Sequence, residues 1–143
     1  MLIGEYKNNL GDKNRVAMPK KFRDELGNSL IVTQGYEGCL IVVSPKQWED
    51  LTKETATGPF VSGSVRDTTR FLLGGAAEVQ LDKQGRFVLP KNLVDYSEIK
   101  DQVTFLGLGR WIEIWDTEKW NERKNYLAKN SSDIAEKLSQ VAL

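Results

Sequence analysis

The 143-residue chain contains no histidine and a single cysteine, Cys39. Those two scarcities exclude an intramolecular disulfide, a Cys/His zinc cluster, a Ser-His-Asp or Cys-His nucleophilic site, and imidazole acid/base chemistry. No apolar run approaches the roughly 18 to 20 residues of a membrane-spanning helix. The start, MLIGEYKNN, is interrupted by Glu5 and Lys7 before an apolar signal region can form. The expectation is a reduced, cytoplasmic chain without membrane insertion. Excess charge is also missing, because 20 basic residues cancel 20 acidic ones. Any anion site must therefore come from charge placement.

Enzymatic signals are equally sparse. The acidic residues form no metal motif or carboxylate dyad, and the GLG of Gly107 to Gly109 lacks both the Gly-x-Gly-x-x-Gly pattern and its βαβ context. Cys39 sits in the apolar run CLIVV, where a buried structural thiol is expected. The sequence reads as non-enzymatic, with no catalytic residue, cofactor or metal assigned.

What the chain does have is an internal repeat. LGDKNRVAMPKKF (Leu10 to Phe22) aligns without a gap on LDKQGRFVLPKNL (Leu81 to Leu93), at an offset of 71 that places Arg15 on Arg86, Pro19 on Pro90 and Lys20 on Lys91. After a one-residue slip, LIVTQGYEGCLIVVSPKQW aligns on QVTFLGLGRWIEIWDTEKW at an offset of 72, placing Gly35 on Gly107 and Trp48 on Trp120. Anchors of several residue types in one order indicate duplication.

Each half begins with an extended segment, a tight turn and a short strand. In the second half Gly85 closes DKQG and accepts φ > 0 at low cost; in the first, Asn14 takes that place in GDKN and is expected to form the same turn. KKFRDEL then reads as a short helix stopped by Gly27, with Phe22 and Leu26 facing inward. SLIVTQGYEGCLIVV and QVTFLGLGRWIEIW each read as two strands around a Gly-containing turn. Trp111, Glu113 and Trp115 alternate with Ile112 and Ile114, so this segment is expected between the halves or at a subunit interface. Ser44 with Gln47 forms a capping box, and Asp116 caps the helix that carries Trp120. TATGPFVSGS (Thr55 to Ser64) reads as a connector, Ser64 and Asp67 as a second capping pair. In SSDIAEKLSQVAL, Ile134, Leu138 and Val141 have the spacing of a packed terminal helix, with a subunit-contact or regulatory arm as the alternative.

Charge is uneven despite the neutral total. Lys7, Lys13, Arg15, Lys20, Lys21 and Arg23 crowd the N-terminal segment with Asp12 as the only acid between positions 7 and 23, and the second half offers Lys83, Arg86 and Lys91. Such a surface can concentrate a polyanion. A solvated charge patch remains the plain alternative.

The chain resembles the MraZ family of bacterial transcriptional regulators, built from two SpoVT-AbrB-like halves. The resemblance rests on the GEY opening at Gly4 to Tyr6, the turn motifs GDKNRVAMPKKFR and DKQGRFVLP, the middle segment RDTTRFLLGGAAEVQLDKQGR and the late IEIWDTEKW. It implies an α+β protein, a duplicated swapped-hairpin AbrB-like β fold with peripheral helices. The halves are expected at residues 1–54 and 75–120, joined by a connector and helix over 55–74 and followed by a helical extension over 121–143. It further implies self-association into a ring, nucleoid association, binding to double-stranded promoter DNA with short direct repeats, and repression of the division and cell-wall gene cluster, the regulator's own gene included. Other protein partners are unknown.

The family's recurrent Asp and Arg fall on Asp82 and Arg86; in the first half Arg15 matches, while Gly11 stands at the Asp position, Asp12 comes one residue late and Asn14 replaces Gly. Arg15 and Arg86 are thus the candidate base contacts. Lys13, Lys20, Lys21, Lys83 and Lys91 are the candidate phosphate contacts. Asp12, Asn14, Asp82 and Gly85 are the candidate loop-structural residues, Asp12 less securely than Asp82. A non-enzymatic oligomeric protein-binding scaffold is the competing reading.

Overall fold

Alternating apolar residues in short runs, each closed by Gly or a polar turn, give this chain its strands, and amphipathic runs behind Ser, Asp or Pro give it helices. The computed structural model describes residues 1–141, with residues 54–57 described by backbone alone. Along the chain come β1 (Leu2–Asn9), β2 (Arg15–Ala17), α1 (Lys20–Leu26), β3 (Ser29–Gln34), β4 (Leu40–Val43), α2 (Pro45–Thr57) and α3 (Gly63–Leu72). The second half follows with β5 (Ala77–Gln80), β6 (Arg86–Val88), α4 (Lys91–Ser97), β7 (Gln102–Gly109), β8 (Ile112–Asp116) and α5 (Thr117–Ser139). The protein is α+β, as expected.

Six strands form an antiparallel sheet in the order β1-β7-β8-β4-β3-β5, while β2 and β6 form a separate two-stranded ribbon. The β3–β4 and β7–β8 hairpins stay within their own halves, while the remaining pairings cross between them. β1 of the first half pairs with β7 of the second from Leu2 opposite Gly109 to Asn9 opposite Gln102, and β5 of the second pairs with β3 of the first. At the sheet centre Leu40 lies opposite Ile114, Ile41 opposite Glu113, and Val42 opposite Ile112. The repeat offset of 72 converts Leu40 into Ile112 and Val42 into Ile114, so an approximate twofold passes between Ile41 and Glu113. β8 thus lies where its two-sided apolar pattern placed it, between the halves.

One sheet face carries Val32, Val42, Val103, Phe105, Ile112 and Ile114, buried with Phe22 and Leu26 of α1, Leu93 of α4, and Val16 and Phe87 of the ribbon. Burial of each large apolar side chain stabilises by about 1.5 to 3 kcal/mol, so this shared core holds ribbon and sheet together. On the opposite face Cys39, Leu106 and Trp115 pack against Trp120 and Leu127 of α5. Burial pushes the Cys39 thiol far above its ordinary pKa, with Glu113 and Glu37 adding to the effect. It remains a neutral packing residue whose Sγ–H points to the Tyr36 carbonyl, 3.2 Å away.

The expected caps form at two helices. Ser44 Oγ accepts from the Gln47 N–H at 3.3 Å, and Asp116 Oδ2 accepts from the Lys119 N–H at 3.3 Å. Three expectations require correction. α2 continues to Thr57, which shortens the connector to residues 58–62. α3 is capped by Ser62, whose Oγ accepts from the Val65 N–H; Ser64 lies inside the helix, and Asp67 instead pairs with Arg70 at 2.8 Å. The packed terminal helix is not packed along its length, since Ile134, Leu138 and Val141 are exposed. The cause is length: the 23 residues of α5 extend about 35 Å, whereas an eight-residue strand extends about 27 Å, so the helix outruns the sheet after Leu127. Residues 142 and 143 of that segment lie outside the described residues. No helix among the described residues is long and apolar enough to cross a membrane.

Candidate nucleic-acid interface

The β2–β6 ribbon sorts its side chains by strand alternation. Arg15 lies opposite Val88, Val16 opposite Phe87, and Ala17 opposite Arg86. Directly opposed residues share a face, so Val16 and Phe87 point together into the core, where both are almost completely buried. Arg15, Ala17, Arg86 and Val88 form the outer face. Two residue steps along and one strand across separate the arginine Cα atoms by about 8 Å. The sequence placed these arginines in equivalent turns; the structure brings them onto one surface.

Each end of the ribbon is built from both halves. The Met18 N–H donates to the Gly85 carbonyl at 2.9 Å, and the Leu89 N–H donates to the Asn14 carbonyl at 2.8 Å. The chain that runs on into α1 therefore leaves the ribbon beside the Asp82–Gly85 turn. That end gathers Lys83 and Arg86 from the second half with Lys20, Lys21 and Arg23 from the first. The other end gathers Lys13 and Arg15 with Lys91 of α4.

The turns close alike but are wound differently. The Gly11 N–H donates to the Arg15 carbonyl at 2.7 Å and the Asp82 N–H to the Arg86 carbonyl at 2.8 Å, matching bonds at the repeat offset. Inside the second turn only Gly85 has positive φ, at 76°. In the first, Lys13 and Asn14 both have φ of 59°, and the Arg15 N–H donates to the Asp12 carbonyl. The expectation of one shared turn is corrected. Without Gly in the final position, the first loop spreads its left-handed conformation over two residues.

This difference decides how each arginine is held. Asp82 Oδ1 accepts from the Gln84 N–H at 2.8 Å and the Arg86 N–H at 2.9 Å, and Asp82 Oδ2 accepts from Arg86 Nε at 3.0 Å. The Arg86 N–H, with those other donors, holds the Asp82 carboxyl below the usual aspartate range, against the opposing effect of desolvation. Arg86 is thereby oriented with its terminal nitrogens left for another acceptor. Arg15 has no such brace: the Asp12 side chain makes no hydrogen bond or ion pair within the described structure, and Asp12 serves the loop through its backbone carbonyl.

The lysines also differ. Lys13, Lys20, Lys21 and Lys83 are exposed and have no ion-pair partner among the described residues. Lys91 instead donates to Asp95 at 2.8 Å, and this hydrogen bond raises its pKa. The sequence equivalence of Lys20 and Lys91 therefore does not extend to their surroundings. Arg23 went unassigned in the sequence because its neighbour is in the other half. Its side chain covers Gly85, with Cδ 2.5 Å and Cζ 2.6 Å from where a Cβ would stand, and Gly85 is buried as a result. Among the described residues no group of three or more His, Cys, Asp or Glu side chains is placed to hold a metal ion.

Comparison with known proteins agrees with this architecture. The family model described as "MraZ protein, putative antitoxin-like" matches twice, over residues 1–71 and 72–141. The chain is similar to "Transcriptional regulator MraZ" of Clostridium acetobutylicum, at 41% identity over 143 residues and 100% of both chains. It is likewise similar to the proteins of that name in Syntrophomonas wolfei, at 38% over 143 residues and 100% of both chains, and in Roseiflexus castenholzii, at 36% over 141 residues and 99% of both. With both repeats matched and full-length relatives at this identity, the chain belongs to the MraZ family.

Proposed function

We propose that this protein is a non-enzymatic, sequence-specific regulator of transcription that binds double-stranded promoter DNA through the outer face of the β2–β6 ribbon. The observation that carries the reading is the placement of Arg15 and Arg86 on that one face, flanked by the unpaired Lys13 at one end and by Lys20, Lys21 and Lys83 at the other. A two-stranded ribbon fits the major groove, and a separation of about 8 Å spans two to three base-pair steps of about 3.4 Å. Arg15 and Arg86 then contact guanine edges, while Lys13, Lys20, Lys21, Lys83 and Lys91 contact phosphates. Asp82 and Gly85 hold the second loop in shape; Asn14 and the Asp12 carbonyl do so for the first.

The names of the relatives support regulation of transcription. The finer reading is repression of the division and cell-wall gene cluster, including the protein's own gene, from a cytoplasmic, nucleoid-associated pool. Self-association into a ring joins several ribbons to short direct repeats and raises affinity through effective concentration. The exposed apolar residues Ile134, Leu138 and Val141 of the α5 segment favour such association. A footprint on the DNA upstream of the protein's own gene tests the reading. Protection of evenly spaced repeats is expected; no protection at low salt overturns it.

A further inference from the structure

Arg23 is out of place for a residue of the first half. It sits in the last turn of α1, yet its side chain lies across the Asp82–Gly85 turn of the second half, close enough that a Cβ at residue 85 would force it to move. Its guanidinium forms no hydrogen bond or ion pair with any described residue. An arginine in the core or on a plain surface normally finds a carboxylate or carbonyl, since its planar fork of five donors is costly to leave unused near protein. Here Cδ, Cζ and the guanidinium itself lie over Gly85, on a loop whose one carboxylate, Asp82, is already committed to three donors. That leaves no free carboxylate on the loop to balance the Arg23 charge.

The other end of the ribbon lacks this feature. At the repeat offset of 71, Arg23 corresponds to Val94, a neutral residue packed against the core. The nearest cation that α4 brings to the first loop is Lys91, and Asp95 holds it. Two loops that match in sequence therefore differ in charge: one has an additional unpaired guanidinium delivered from the opposite half, the other does not.

We propose that Arg23 contacts a DNA phosphate beside the Asp82–Arg86 loop, so that the first half completes the DNA contact of the second and the two ribbon ends grip DNA unequally. This rests on the DNA-binding reading above. Arg23 does not read a base; it anchors the loop whose Arg86 does. The glycine at 85 then has two roles, adopting positive φ and leaving room for the anchor to cross.

The test is the salt dependence of binding to an upstream-repeat duplex, measured by fluorescence anisotropy with the full chain. Arg23→Met keeps the aliphatic stem over Gly85 and removes the charge, while Arg23→Lys restores a cation. Loss of one phosphate contact lowers the slope of log affinity against log salt by about 0.9. The expected result is that decrease for Arg23→Met on both specific and scrambled duplexes, with the wild-type slope returning in Arg23→Lys. Lys46→Met, on a helix that packs against β3 and β4, controls for general loss of one charge and is expected to keep the wild-type slope. Should Arg23→Met fail to fold, judged by circular dichroism, Arg23→Gln replaces it. A folded, charge-removed variant with the wild-type slope overturns the proposal even if specificity falls, because Arg23 then only braces the loop. Wild-type protein that binds no duplex at low salt overturns the DNA-binding reading itself, a different outcome in the same titration.

Discussion

Replacing Gly85 with alanine puts a Cβ on a residue held at φ of 76° and beneath the Arg23 side chain. The left-handed conformation costs a non-glycine residue about 1 to 2 kcal/mol. Alanine recovers part of this, roughly 0.4 to 1 kcal/mol, by restricting the unfolded chain. Arg23 is flexible and swings away from the new methyl, so the steric contact is relieved by movement. The net loss is about 1 kcal/mol, which for a chain of this size lowers the unfolding midpoint by roughly 2 to 4 °C. Gly85→Asn should fall less, because asparagine already occupies φ of 59° at the equivalent Asn14. Differential scanning calorimetry orders the three proteins as wild type, Asn variant, Ala variant. An Ala variant as stable as wild type would refute the turn geometry on which the placement of Arg86 depends.

Asp82→Ala releases Arg86 and should reduce discrimination between specific and scrambled DNA, whereas Asp12→Ala should leave it unchanged; competition binding separates the two. Because the folded pKa of Asp82 is depressed, its brace is fully present above the unfolded value and is lost as pH falls through the folded one. The amide resonances of Gln84 and Arg86 should therefore be constant from pH 5 to 8 and titrate with a midpoint below the ordinary aspartate value of about 3.9. In the ribbon, Phe87→Ala should cost about 3 to 5 kcal/mol in urea unfolding, while Val88→Ala on the outer face stays within about 0.5 kcal/mol. Fragments 1–74 and 75–143 should each lack the native circular dichroism spectrum and regain it on mixing, since β1, β2 and β5 all pair across the halves. A stable, native-like fragment on its own would contradict that exchange.

Local signals were legible wherever neighbouring residues settle the outcome. Ser44 with Gln47, Asp116 before Trp120, and Gly27 after KKFRDEL each act within one helical turn, and the structure has them as read. Ser62 and Ser64 show the limit of that logic. Both precede suitable helices, and only the turn closed by the Ser62 N–H onto the Pro59 carbonyl selects the earlier one. The repeat revealed which segments are equivalent without revealing which ones pair, because register between distant strands is set by the assembled core. Arg23 escaped notice for the same reason. Positive φ at Lys13 was illegible because lysine carries no preference for it; closing the loop at Arg15 imposes it. Ile134 and Leu138 show that helical apolar spacing defines a face without supplying its partner.

The most direct measurement compares wild type, Arg15→Ala and Arg86→Ala on an upstream-repeat duplex and on its scrambled counterpart at one fixed salt concentration. If both arginines read bases from the shared outer face of the ribbon, each substitution removes about 1 to 3 kcal/mol of discrimination while leaving scrambled-DNA affinity less affected. Equal fractional losses on the two duplexes, or affinities indistinguishable from wild type, would contradict base reading by this ribbon.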